Sequence, residues 1–161
     1  MEEKEVTNRM QRKLEEIARI LCDSTDKIDN IGVLSGVSGL VLFMYYYSRY
    51  TDNSKYAEVG EQILEKAVEM INNGFTLHTF CSGIGGLAWT CEHLEQNGFI
   101  DRETFSFLNV LEPYLMSCMK NEFNNNNYDF LHGGLGVGYY FLSKKKTGQK
   151  NIDALVLMVK K

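Results

Sequence analysis

Apolar residues recur at spacings of three and four along most of this chain, and strand-like alternation is missing, so the pattern predicts an all-helical protein. A first helix is expected from about Glu3 to Cys22. Its Met10, Leu14, Ile17, Ala18 and Leu21 share one face, and Lys, Arg and Glu occupy the other. Asp23-Ser24-Thr25-Asp26 breaks it. A second helix begins near Gly36 and carries Leu40, Val41, Phe43, Met44 and Tyr47; apolar nearly all round, it reads as buried. Thr51-Asp52-Asn53-Ser54 is a turn rich in N-capping residues. The third helix, about Lys55 to Asn72, is amphipathic, with Ile63, Leu64, Ala67, Val68 and Ile71 inward.

The same grammar then repeats. A nearly all-apolar helix from Gly83 carries Leu87, Ala88, Trp89 and Leu94 and stops at Asn97-Gly98. An amphipathic helix is expected from about Asp101 to Met119. The polar run Asn124 to Asn127 precedes a third buried helix from Gly133, with Tyr139, Tyr140, Phe141 and Leu142. The stretch from Ile152 to Val159 reads as its amphipathic partner, cut short and without a stop signal.

Each buried helix opens on a G-x-x-G pair: Gly36/Gly39, Gly83/Gly86 and Gly133/Gly136. The period of roughly 50 residues is that of solenoids, propellers and toroids. Glycine costs a helix about 1 kcal/mol relative to alanine, so its return at one register needs a structural reason. An inner ring of buried helices and an outer ring of half-exposed ones, an α/α toroid, supplies it: the glycines let backbones approach where inner helices converge. The motif loops then gather at one end, where helix N-termini with open N–H groups would favour anionic ligands.

Composition adds mainly exclusions. The 161 residues suit one domain, and a net charge of −4 offers no general attraction to nucleic acid or anionic membrane. Lys144-Lys145-Lys146 reads as a solvated turn. No apolar run reaches the roughly 18 residues that span a bilayer. The charged start Met1-Glu2-Glu3-Lys4-Glu5 is unlike a signal peptide, which points to the cytoplasm and to reduced Cys22, Cys81, Cys91 and Cys118. No C-x-x-C pair is present to suggest a redox motif or zinc ribbon.

Few residues look reactive. Asp129, three positions before His132, suits a general acid/base or the cap of a turn. Cys81 and His132, on different motif loops, carry donors that suit zinc, but two ligands from separate repeats do not define a site. His78 and His93 show no partner in the sequence and read as packed or solvated. Tyr45-Tyr46-Tyr47 points three ways round a helix, which suits core and rim better than a stacking platform.

At these motifs the chain resembles the lanthionine synthetase C-like family. The segments that carry the resemblance are Ser35 to Leu40, Thr79-Phe80-Cys81-Ser82-Gly83-Ile84-Gly85-Gly86-Leu87-Ala88-Trp89, and Tyr128-Asp129-Phe130-Leu131-His132-Gly133-Gly134-Leu135-Gly136-Val137. The resemblance covers nearly the whole chain but only the N-terminal part of the family domain. It implies a partial α/α toroid over residues 1–161, about three of the family's six or seven helical hairpins. Active members cyclise lanthipeptide precursors, adding a zinc-bound cysteine thiolate of the peptide to a dehydroamino acid to form a thioether. The family context Tyr-Asp-x-x-x-Gly assigns proton transfer to Asp129. The family's zinc ligands and catalytic His come from later motifs that this sequence does not contain, so no metal or cofactor is expected in it.

The chain is therefore expected to be inactive alone as a cyclase, because a free thiol with a pKa near 8.5 stays mostly protonated at neutral pH. The alternative is a non-catalytic helical-repeat module that binds a peptide or protein partner. Self-association through exposed inner helices is a further expectation. A glycan-processing toroid is disfavoured, since that chemistry needs two placed carboxylates and only Asp129 is well placed.

Overall fold

The computed structural model describes residues 2–23 and 28–144, and the expected helix between Ile152 and Val159 lies outside them. Among the described residues the chain is all-helical, with no strand. Six α-helices follow in order: α1 (Glu2–Cys22), α2 (Val37–Thr51), α3 (Ser54–Asn72), α4 (Ile84–Gln96), α5 (Leu108–Asn124) and α6 (Gly134–Ser143). The three glycine-started helices form one continuous inner row, α2 against α4 and α4 against α6. Outside them, α3 folds back on α2 and α5 packs on α6. This is an arc of paired inner and outer helices, the architecture of a partial α/α toroid.

Local chemistry sets the boundaries. The Asn53 side chain accepts from the Lys55 N–H at 3.2 Å and caps α3. Helices α3, α4 and α5 each end on a left-handed residue, Gly74 at φ 95°, Gly98 at φ 67° and Asn126 at φ 58°. In each case the next amide reaches back to a carbonyl of the last turn: Phe75 to Met70, Phe99 to Leu94, and Asn127 to Glu122. That is the Schellman arrangement, which satisfies the orphan carbonyls of a helix end.

Two sequence expectations need correction. The helix expected from Asp101 to Met119 is split: a single 3₁₀ turn, Arg102–Phe105, precedes α5, which starts only at Leu108 and runs on to Asn124. Residues three apart eclipse in a 3₁₀ turn, and this register buries both Phe105 and Leu108. The second correction concerns α1. Of its predicted apolar face, Ala18 is fully buried and Leu14 and Leu21 are half-buried, while Met10 and Ile17 are exposed. Among the described residues of α1, burial is confined to its C-terminal half.

The core runs along the inner row and its outer partners. Val41, Met44, Leu87, Cys91, Leu94, Leu115, Met119 and Val137 are completely enclosed. Tyr45 and Tyr47 belong to this core, whereas Tyr46 between them faces out. Truncating an enclosed Leu or Met of this kind costs about 2–5 kcal/mol.

The second glycine of each pair meets the carbonyl six residues before it. A Cβ on Gly39, Gly86 or Gly136 would come within 3.0 Å of the Val33, Phe80 or Phe130 oxygen respectively. At Gly86 the same methyl would also press on the Val33 nitrogen of the neighbouring loop. Gly86→Ala therefore has two opposed effects. Helix propensity alone favours alanine by about 1 kcal/mol, but forced overpacking costs about 1–3 kcal/mol, here against backbone that cannot move aside. Net destabilisation is expected in urea unfolding; a variant more stable than the parent would remove the close approach as the reason for this glycine.

Candidate functional site

The three motif loops fold alike, then join. In each, the first helical amide donates to the carbonyl seven residues earlier: Val37 to Asn30 (3.0 Å), Ile84 to Leu77 (2.8 Å) and Gly134 to Asn127 (3.1 Å). The N-cap glycines 36, 83 and 133 have extended backbone and no side chain to cap with. The loop's own carbonyls take that role, and in α4 the amides of Gly85 and Gly86 are also engaged, by His78 and Thr79. The expectation of open N–H groups awaiting an anion is corrected at the first helical amide of each motif and through the first turn of α4, where loop carbonyls accept them.

Backbone bonds then stitch loop to loop in one register. Leu34 N donates to Cys81 O at 3.0 Å, and Cys81 N donates to Leu131 O at 2.9 Å. Leu34, Cys81 and Leu131 occupy equivalent positions, each two residues before its first motif glycine. Ile31 and Val33 add bonds to Ser82 and Phe80. The loops do gather at one end of the inner row.

Of the sequence candidates, Cys81 has its thiol 3.6 Å from Ser35 Oγ, and Ser35 Oγ lies 2.6 Å from Ser82 Oγ. His132 occupies the register of these two serines but is turned to Asp129, its Nδ1 3.4 Å from Oδ1. The loops bring Cys81 close to Leu131, the residue preceding His132, through the backbone. Among the described residues no three His, Cys, Asp or Glu side chains converge as a metal ion would require. The donor set of Cys81 and His132 does not fit a tetrahedral zinc site.

Asp129 is an exposed carboxylate that accepts the His132 amide at 2.6 Å. Thr79, one unit earlier, makes the same link, its hydroxyl oxygen accepting the Ser82 amide at 3.4 Å. Asp129 thus fills a position where the fold needs a turn acceptor. That amide bond, together with the Leu131 amide and the His132 ring, holds its carboxyl below the ordinary value of 3.8.

Sequence reasoning missed an aromatic row across the inner helices. Phe130 packs on Phe80 with centroids 5.0 Å apart, Tyr139 stacks on Trp89 at 6.2 Å, and Trp89 stacks on His93 at 5.1 Å. His93 Nε2 lies 2.8 Å from the Tyr46 hydroxyl, and burial lowers the imidazole below its usual 6.5. Tyr46 continues to Phe99 at 4.7 Å, and the Arg49 guanidinium caps that ring at 3.4 Å. The signal was available: Tyr46 and His93 stand at equivalent positions in consecutive units, as do Trp89 and Tyr139. His78, also without a partner in the sequence, lies 3.0 Å from Glu122.

Two polar clusters stand apart from the loops. Buried Glu92 receives Arg102 at 3.1 Å, and Glu112 accepts from the Tyr140 hydroxyl at 3.0 Å and from Lys144. Burial is the main cause that raises the Tyr140 hydroxyl above its normal range. A cleft of about 620 Å³ lies between α3 and the 3₁₀ segment, with Glu58, Glu61, Glu95 and Asp101 on its walls. It contains none of Asp129, His132 and Cys81.

Comparison with known proteins gives one match. The family described as lanthionine synthetase C-like protein matches residues 27–161, a span that begins after α1. No curated protein and no solved structure matches.

The capping role of Asp129 has a pH signature. Its folded-state pKa is depressed, so its contribution to stability is fully present above the unfolded value and is lost as pH falls through the folded one. Asp129→Asn is expected to lower stability at pH 7, and the gap to the parent is expected to narrow below about pH 3.8. Urea unfolding at pH 7 and pH 3 checks this, and a gap independent of pH would dismiss the ionised cap.

Proposed function

Because the chain belongs to the lanthionine synthetase C-like family, we propose that it holds a peptide on its inner face and does not close thioether rings by itself. The observation that carries this reading is the aromatic row, in which Tyr46 is exposed and Trp89 and His93 are half-buried. Aromatic rings offer large, rigid contact area with little rotamer entropy to lose, which suits a peptide laid across the inner helices. His93, held neutral near pH 7, keeps the Tyr46 ring in place. Arg49 at the end of the row offers positive charge to an acidic peptide segment.

Ring closure asks for more. The substrate thiol has to become a thiolate, and a carboxyl already held below 3.8 is a poor base for that proton. No step is assigned to zinc in this chain. Asp129 keeps its family-proposed role in proton transfer only where further groups activate the thiol. Four free thiols suit a reducing compartment such as the cytoplasm.

Trp89 is the only tryptophan, so its emission reports on this face without a label. A synthetic peptide carrying one cysteine and one dehydroalanine is expected to change that emission saturably. Tyr46→Ala is expected to weaken binding about tenfold, or about 1.4 kcal/mol. Addition of the thiol across the double bond leaves the mass unchanged, so closure is read as loss of alkylatable thiol, expected at the buffer rate. Closure above that rate, with stoichiometric zinc that disappears in Cys81→Ala, would establish the cyclase reading instead. Absence of any emission change would remove the peptide-binding one.

A further inference from the structure

The cleft between α3 and the 3₁₀ segment takes no part in the motif loops and shares only Phe99 with the aromatic row. Four carboxylates line it: Glu58 and Glu61 on α3, Glu95 near the end of α4, and Asp101 just before the 3₁₀ turn. Ser54 donates to Glu58 at 3.3 Å. The one cation on its walls is Arg102, whose guanidinium is engaged by Glu92 at 3.1 Å. The cleft therefore carries a surplus of negative charge.

A second observation points to a ligand. Tyr45 lines this cleft and is only 6% exposed, yet among the described residues nothing hydrogen-bonds to its hydroxyl. Its ring is fixed: Phe99 meets it edge-on with centroids 5.8 Å apart, and a Cβ on Gly60 would lie 3.0 Å from its Cε2. Burial first, and then the Glu61 charge, pushes the hydroxyl up to about 12, so it stays a neutral phenol at neutral pH. A buried polar group without a partner is costly and asks for one. Beside Glu61, an incoming N–H donor is satisfied twice, by the phenol oxygen and by the carboxylate.

We propose that this cleft binds a linear polyamine, with ammonium groups on Glu61 and its neighbouring carboxylates and one N–H on the Tyr45 oxygen. A single metal ion does not fit, because among the described residues no three His, Cys, Asp or Glu side chains converge on one point. The charges are strung out instead. Glu58 and Glu61 are about 4.5 Å apart along the helix axis, and Glu61, Glu65 and Glu69 follow in steps of about 6 Å. A second hollow of about 420 Å³ shares Glu61 and Thr104 with the first and continues past Glu65 and Glu69. Ammonium groups on short methylene spacers match such a ladder one charge at a time. Between the carboxylates, Phe99 and Ile100 in the first hollow and Leu64 and Phe105 in the second offer apolar wall to the methylenes. Both volumes are those of small-ligand sites.

Isothermal titration calorimetry with spermidine tests this. No peptide is present, so the outcome is independent of the peptide-binding reading. Saturable binding is expected, weakening as salt rises. Glu61→Gln with Asp101→Asn is expected to weaken it about tenfold. Glu5→Gln with Glu15→Gln removes the same charge from exposed positions on α1 and is expected to leave it unchanged. Tyr45→Phe is expected to weaken it about fivefold, yet to unfold in urea no earlier than the parent, since the hydroxyl has no partner to lose in the free chain. Earlier unfolding of Tyr45→Phe with unchanged spermidine affinity would assign the hydroxyl to the fold and overturn the proposal. So would an α1 variant that loses as much binding as the cleft variant, magnesium chloride that binds as tightly as spermidine, or no saturable binding, including the case where a lysine-rich peptide binds instead.

Discussion

The structure depends on the approach of one backbone to another at the motif loops. Where Leu34 N meets Cys81 O and Cys81 N meets Leu131 O, consecutive units are bonded through groups that every residue carries. Such bonds set register without selecting side chains at the bonded positions, which are Leu, Cys and Leu. The selection falls on the residues that let the chains come this close. Gly32 is one: a Cβ there would fall within 3.0 Å of the Cys81 carbonyl and the Gly83 nitrogen. Gly86 is another, lodged between its own loop and Val33. None of these is a positive-φ glycine, so the requirement is for space and not for backbone conformation.

This constraint explains what could be read in advance. The inner helices, their glycine starts and their stops at Asn97-Gly98 follow from local rules and appear in the sequence nearly residue by residue. What escaped reading depends on neighbours. The break before Leu108 exists because Phe105 and Leu108 both find the core, a tertiary demand that overrides the helical pattern across Asp101 to Phe107. The exposure of Met10 depends on what packs along α1, which its amphipathicity cannot reveal. Tyr46 and His93 became partners through the register of units, and each is featureless when taken alone.

Asp129 illustrates how a site residue and a structural one are confused. A carboxylate before a glycine motif reads as chemistry, and the same register in unit two holds Thr79, which performs the same hydrogen bond without a titratable group. The position therefore requires an acceptor, and an aspartate there has first been taken up by the His132 amide. A proton-transfer role would have to be added to that duty. The bonds that hold the carboxyl for capping also stabilise its ionised form, which lowers its basicity.

Repeat architectures distribute stability between units and the contacts joining them, so a terminal unit without a polar outer face is the least consistent part of the design. Unit three is the last unit among the described residues, and its open face is apolar. Its inner helix is enclosed on one side by Phe123, Leu115 and Met119 of α5 and by α4, with Val137, Tyr140 and Phe141 buried. On the other side Leu135, Tyr139 and Leu142, spaced four and three apart, present a single apolar stripe. A side chain that ended the array would be expected to be polar here, as Glu92 is at the register of Leu142. Yet Glu92 is buried and paired with Arg102, and Leu142 is apolar and open. The inversion is informative because it opposes solvent exposure at both positions. Polar character in unit two is tolerated through a specific partner, and apolar character in unit three is what a face evolved to be covered would carry.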